Sequence, residues 1–144
     1  MHSSKIVLRP MPLACALLIA IAVLLLPLPG RTEAGGANVS PVFAAQLPNV
    51  PGKSLTAVLV HYAAGAASPP HHHAGSVFAY VLSGVIRSQV STGGSVKDYK
   101  AGESFFEPPG SDHLVSANAS ASEPASLLAI VIADDGAILT TLDK

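Results

Sequence analysis

From about residue 42 onward the sequence predicts an all-β fold built from short strands. Nine β-prone runs alternate with breakers rich in Gly, Pro, Ser and Asp, and no amphipathic helical stretch of useful length lies among them. Short strands with a turn signal about every 8 to 12 residues are typical of a β-sandwich or β-barrel. The runs cover residues 42–47, 54–62, 76–82, 85–90, 96–100, 104–107, 113–116, 126–133 and 138–142.

Two of these runs, 77–82 and 127–132, are apolar at every position. A strand with one face in water alternates apolar and polar side chains, so a continuous apolar run indicates a strand that is covered on both faces. Burial inside a small sandwich would explain the pattern, but the 110 residues that follow residue 34 offer little material to cover both faces. We therefore expect a homodimer.

The N-terminal segment has the pattern of a secretory signal. Lys5 and Arg9 precede an unbroken apolar run of 14 residues, 13–26, and small residues flank a cleavage position after Ala34. The alternative is an uncleaved anchor, but a spanning helix needs about 20 apolar residues, and this run reaches that length only if the prolines after it are included. We expect a signal peptide over 1–34 and export to the periplasm or the extracellular space.

The composition of the rest of the chain narrows the classes of function. The sole cysteine, Cys15, lies in the signal, so the mature chain has no disulfide and no thiolate chemistry. From Gly35 onward there are five basic and eight acidic side chains, a net charge of −3, and no basic cluster that would hold a phosphate backbone. We expect no nucleic-acid partner and no membrane partner after signal cleavage. An N-terminal extension with the first strand would occupy 35–53, and the functional domain 54–144.

Four histidines carry most of the chemistry in this sequence: His71, His72 and His73 in a row, and His113 at a distance. Neutral imidazole is the commonest metal ligand in proteins. Alternate side chains of an extended segment point the same way, so His71 and His73 share one face and His72 the other. Together with His113 they would form a pocket for a transition-metal ion. The alternative is an exposed loop that binds metal adventitiously.

Two segments surround these histidines with a regular spacing: Gly65-x5-His71-x-His73-x3-Val77-x6-Gly84 and Gly102-x5-Pro108-x-Gly110-x2-His113. This spacing resembles the two sequence motifs of the cupin family. The resemblance covers roughly residues 54–133 and implies a jelly-roll β-barrel, also called a double-stranded β-helix.

The resemblance implies that His71, His73 and His113 are the metal ligands. The sequence departs from the family pattern at the fourth ligand, because Val77 stands where the first motif has a Glu. The Asn that often ends the second motif is also out of register, since Asn118 comes one residue late.

Three neutral imidazoles leave the charge of a divalent ion uncompensated and leave coordination positions open, which is typical of a catalytic rather than a structural metal site. Imidazole suits Zn, Cu, Fe and Ni. Some cupin-superfamily dioxygenases use three His and no Glu to bind Fe(II), so the resemblance implies Fe(II) first, with Zn, Ni, Mn and Cu as alternatives. It also implies a small, chelating, anionic substrate.

Three functions stay open at this point. The chain could be an exported metal-dependent dioxygenase, a non-catalytic cupin module that binds a small ligand or a metal, or a metal-free cupin. The sequence assigns no catalytic residue and no substrate. Glu107 could approach the metal or accept a hydrogen bond from a ligand imidazole; the alternative is a solvated carboxylate at the rim.

Overall fold

The computed structural model describes residues 31–32 and 36–144. The predicted signal peptide lies outside the described residues, apart from a two-residue strand. Within the described ranges the chain forms twelve β-strands and no helix, which confirms the all-β prediction. The strands are β1 Arg31–Thr32, β2 Ala37–Gln46, β3 Lys53–Tyr62, β4 Ala67–Ser68, β5 His71–His73, β6 Ser76–Ser83, β7 Val85–Val90, β8 Lys97–Lys100, β9 Ser104–Glu107, β10 Asp112–Asn118, β11 Ala125–Asp134 and β12 Thr140–Leu142.

The strands form two antiparallel sheets. The first sheet has the order β1-β2-β3-β11-β6-β9, and the second has the order β12-β5-β10-β7-β8, with β4 also paired to β10. Consecutive strands such as β6 and β7 lie in different sheets, so the chain passes repeatedly from one sheet to the other. This is the jelly-roll arrangement that the strand pattern and the motifs predicted.

The side-chain alternation of the first sheet separates an inner face from an outer face. Opposite residues of paired strands share a face, and the inner face carries Val77, Val81 and Leu127, which are almost completely buried. Val81 and Leu127 pack with Tyr62 and Ile86 in one core cluster, and Val77 packs with Val131 in a second. The barrel interior therefore accounts for one side of the two continuous apolar runs.

The outer face of the same sheet is not covered by the residues that the structure describes. Phe78, Tyr80 and Leu82 are 43%, 38% and 47% exposed, and Phe106, the neighbour of Phe78 across the strand pair, is 55% exposed. We expected both faces to be covered, and among the described residues only the inner one is.

Two glycines are required by close approach of the backbone. Gly84 has φ +70°, and a Cβ there would lie 2.7 Å from the carbonyl oxygen of Pro124. At Gly75 a Cβ would collide with the backbone of Ile132. These glycines let the ends of β6 lie directly against β11. Gly84 is also the closing glycine of the first motif, so that motif position serves the turn between β6 and β7.

No helix among residues 31–32 and 36–144 is long and apolar enough to span a membrane.

Replacing a buried isoleucine should destabilise the protein much more than replacing an exposed one. Ile86→Ala removes a fully buried side chain, and we expect it to lower the free energy of unfolding by about 2–5 kcal/mol, because it leaves a cavity. Ile138→Ala is the matched control, since Ile138 is 79% exposed and the change should stay within about 0.5 kcal/mol. Urea denaturation of both variants measures the difference. Equal losses would mean that the core is placed wrongly.

Candidate metal centre

The pairing of two short strands brings the distant histidines together. In the antiparallel register of β5 with β10, His113 is the direct partner of His71, so both side chains point to the same side of the sheet. His73 shares this side because it lies two residues from His71. The ring of His71 lies 4.9 Å from that of His73 and 5.1 Å from that of His113, measured between centroids.

The three rings offer a compact set of nitrogen donors. One ring nitrogen from each of His71, His73 and His113 lies within 4.8 Å of the other two. His71 and His113 are only 6% and 3% exposed. The structure therefore places all three predicted ligands at one point in the barrel interior.

In each of the three rings, one nitrogen has a hydrogen-bond partner from the protein. His71 Nδ1 donates to the carbonyl oxygen of Pro69 at 2.7 Å, and His73 Nδ1 donates to that of Leu139 at 3.0 Å. His113 Nε2 lies 2.8 Å from Ser88 Oγ. Partners of this kind orient ligand imidazoles and select their tautomers. They leave Nε2 of His71 and Nε2 of His73 for an ion, and Nδ1 of His113 as well where it does not donate to Glu107.

His72 points away from this group, as the alternation predicted. Its Nδ1 donates to Asp143 Oδ1 at 2.6 Å. Asp112, its partner on β10, completes a partly exposed group on the opposite side of the sheet. His72 therefore bonds to Asp143 near the surface and does not belong to the three-histidine group.

Glu107 is the carboxylate of the site, and it is not at the rim. It is 3% exposed, which makes the interpretation as a solvated rim group wrong. Its Oε1 lies 3.3 Å from His113 Nδ1 and its Oε2 lies 3.8 Å from His73 Nε2. Oε2 is buried without a hydrogen-bond partner. A buried carboxylate oxygen without a partner is costly, and an ion or an unlocated water would satisfy it.

Two buried groups of the site, His71 and Glu107, have shifted pKa values. Burial lowers the pKa of His71, and His113 and His73 act in the same direction, against the hydrogen bond to Pro69. His71 is therefore neutral at pH 7, the form that binds metals. Burial alone would raise the pKa of Glu107, but the hydrogen bond with His113 and the electrostatic effect of the three histidines outweigh it and hold that pKa below its usual value. Glu107 is therefore ionised.

These donors fit a divalent transition metal. Neutral imidazole nitrogens together with one ionised carboxylate are a donor set that such ions prefer. The buried, unpartnered oxygen of Glu107 lies on the same side of the barrel as the three rings. Both observations come from the arrangement of this chain's own side chains.

The histidines lie in the wall of a cavity of about 210 Å³. At about 30 Å³ for each water in the liquid, this is the volume of roughly seven water molecules. Apolar side chains make most of the wall, and a hydrogen-bonded group of Tyr62, Ser68 and Ser116 adds hydroxyls to it. The apolar wall is formed by Val39, Val58, Val60, Val77, Ala79, Phe105, Leu127, Ala129, Val131 and Leu139.

A β-bulge in β10 explains the position of Asn118. The register of β10 with β7 shifts between His113 and Val115, and the extra residue reverses the alternation that follows it. Ser116 and Asn118 are therefore buried, whereas Ala117 is only partly buried. Asn118 donates from Nδ2 to the carbonyl oxygens of Ala63 and Glu123, so it holds loops together and lies outside the histidine group.

Sequence reasoning missed the residues that orient the imidazoles. Ser88, Leu139 and Pro69 act through a hydroxyl and two backbone carbonyls, and no residue type marks such a role. Tyr62 and Ser116 were also missed as cavity residues. The signal that could have found Ser88 is a polar side chain between Ile86 and Val90, the apolar inward positions of β7.

Comparison with known families identifies the domain. The model of the cupin domain family matches residues 58–131, a little over half of the chain. The chain belongs to the cupin family. The matched region extends from β3 to β11 and includes all three histidines and Glu107.

Solved structures of cupins share this fold at low sequence identity. A double-stranded β-helix protein from Klebsiella pneumoniae superposes with a TM-score of 0.60 and 21% identity, over 81% of this chain and 91% of that one. The DMSP lyase DddQ from Ruegeria pomeroyi has a TM-score of 0.52 and 23% identity, over 61% of this chain and 42% of that one. An oxalate oxidase in complex with the substrate analogue glycolate has a TM-score of 0.57 and 20% identity, over 78% of this chain and 58% of that one.

At these identities the likeness shows the fold. This cupin matches less than half of the length of the DMSP lyase and less than two thirds of that of the oxalate oxidase. No curated protein sequence matches the chain.

Proposed function

We propose that this cupin is a metal-dependent dioxygenase that binds Fe(II) through His71, His73 and His113 and oxidises a small chelating substrate with O₂. The observation that carries the proposal is the set of three oriented imidazoles with their donor nitrogens within 4.8 Å of one another. A catalytic metal site keeps coordination positions open for substrate. Three ligands from one side of a cavity leave such positions on the cavity side.

The volume and the lining of the cavity favour a small substrate with a polar group at one end. Its volume of about 210 Å³ admits a molecule of a few heavy atoms beside the ion. The apolar wall excludes water and lowers the local dielectric, which strengthens the attraction between an anionic substrate and a cationic centre. Two structural relatives are an oxalate oxidase with bound glycolate and a DMSP lyase, so this fold accommodates small organic acids in other proteins.

The ion, when bound, would supply Lewis acidity and, as Fe(II), electrons for reaction with O₂. The chain's own residues hold the geometry. Pro69, Leu139 and Ser88 fix the imidazole planes, and Val77, Ala129 and their neighbours form the apolar wall. The hydroxyls of Tyr62 and Ser116, 2.8 Å apart, offer hydrogen bonds to the polar part of a substrate.

Removing any one of the three imidazoles should abolish stoichiometric binding of a divalent metal. We expect this for His71→Ala, His73→Ala and His113→Ala, because each ring supplies one of three clustered donors. His72→Ala is the matched control on the same strand, and it should retain metal because its ring faces Asp143. Metal analysis of the untagged protein measures the ratio. Loss of metal in His72→Ala with retention in His73→Ala would contradict the ligand assignment.

Identification of the native metal and measurement of oxygen uptake test the proposed dioxygenase reaction. We expect about one Fe(II) per chain and oxygen consumption with a hydroxy acid, diketone, thiol or catechol-like chelator, and none with His113→Ala. An oxygen electrode measures the rate. A wild-type protein that holds zinc or nickel and consumes no oxygen with any of these compounds would instead support a non-catalytic module that binds a small ligand or a metal.

We also propose that the protein is exported after cleavage of residues 1–34. Support comes from the basic start, the apolar run and the small residues at the cleavage position. N-terminal sequencing of the protein isolated from its cells should find a start near Gly35.

We propose further that a second copy of this chain covers the outer face of the first sheet. Phe78 and Phe106 are neighbours there and about half exposed, and burying them would remove a large apolar area from water. Sedimentation should show a dimer that Phe106→Asp dissociates. Ile138→Asp, at an exposed site before β12, is the control and should leave the dimer intact. A monomeric wild-type protein would overturn this proposal.

A further inference from the structure

The structure suggests where this cupin obtains the carboxylate that its first motif lacks. Val77 on β6 occupies the motif's Glu position, and its direct partner on the neighbouring strand β9 is Glu107. Opposite residues of paired strands point to the same side of the sheet. Both side chains therefore enter the barrel interior at the same level, and both line the cavity.

We propose that Glu107 is a metal ligand, which supplies from β9 the carboxylate that the first motif would place on β6. This inference rests on the proposed metal site of the three histidines. It does not depend on the reaction or on the identity of the metal.

The distances favour a ligand role. Metal–ligand bonds of about 2.0–2.2 Å place neighbouring donor atoms roughly 3.0–3.4 Å apart. Glu107 Oε1 lies 3.3 Å from His113 Nδ1, and Oε2 lies 3.8 Å from His73 Nε2. These are the two nitrogens that Ser88 and Leu139 leave unused. Oε1 thus lies from His113 Nδ1 at the spacing of two ligands of one ion, and Oε2 lies a few tenths of an ångström beyond that spacing from His73 Nε2.

The state of the carboxylate also favours this role. Among the residues that the structure describes, Oε2 has no hydrogen-bond partner although it is buried, and no Lys or Arg side chain lines the cavity. A cation between the carboxylate and the imidazoles would satisfy that oxygen. Four protein ligands would also reduce the net charge of a bound divalent ion from +2 to +1 and leave two of six positions for substrate and O₂.

A positioning role for Glu107 is the competing explanation. In that case Glu107 would accept a hydrogen bond from His113 Nδ1 and lie outside the donor set, and His113 would have to ligate the ion through Nε2. The two roles differ in the donor set, so a spectroscopic measurement separates them. Co(II) is a suitable probe because its visible absorption reports the number and type of its ligands.

The test is Co(II) titration of the full chain with Glu107→Gln, Glu107→Val and the double variant Val77→Glu/Glu107→Val. We expect Glu107→Gln to lower Co(II) affinity at least tenfold and to change the absorption spectrum, and Glu107→Val to lower affinity further. The double variant returns a carboxylate from the opposite strand position, so it should recover most of the affinity that Glu107→Val loses. Glu103→Gln removes an exposed acid before the same strand and should match the wild type.

The outcomes separate this inference from the proposed function. Unchanged affinity and spectrum in Glu107→Gln would overturn it, as would weaker binding with an unchanged spectrum, which indicates positioning. If the double variant does not fold by circular dichroism, Glu107→Gln decides alone. A wild-type protein that binds no metal overturns both proposals, whereas metal binding through Glu107 without oxygen uptake overturns only the oxidation.

Discussion

The pairing of β5 with β10 is the contact on which the site depends. Strand β5 contains only three residues, all histidines, and it lies between β10 and β12. Its register places His71 opposite His113 and His72 opposite Asp112. Since side chains alternate along a strand, a slip of one residue would turn His113 away from the barrel interior. The backbone hydrogen bonds of one short strand therefore decide which nitrogens meet.

The neighbours of β5 hold the imidazoles in place. The turn before β5, the segment before β12 and strand β7 each supply one hydrogen-bond partner. Thr140 Oγ1 also lies 3.2 Å from the nitrogen of His73 that donates to Leu139. Two of the three main partners are backbone carbonyls, which move only if the strands move. The site is thus preorganised by the sheet.

The mostly apolar interior of the barrel makes an uncompensated charge in the site unfavourable. Glu107 is an ionised group inside a cavity with a mostly apolar wall, and burial there has a large cost unless positive charge or hydrogen bonds compensate. His113 and His73 are the groups within reach. Neutral rings compensate weakly, and protonated rings cannot bind a metal. A bound cation would resolve this conflict, since it would permit neutral imidazoles and an ionised carboxylate together.

The sequence by itself determined the fold class, the spacing of the motifs and the two faces of the His71–His73 strand, because these depend on local periodicity. It could not identify the partners of the imidazoles or the level of Glu107 in the barrel, because these depend on which strands become neighbours. Glu107 and Val77 are 30 residues apart and become partners only through the β6–β9 pairing. The bulge after His113 likewise appears only when β10 meets β7. Strand register is a property of two segments at once, so only the tertiary structure decided it.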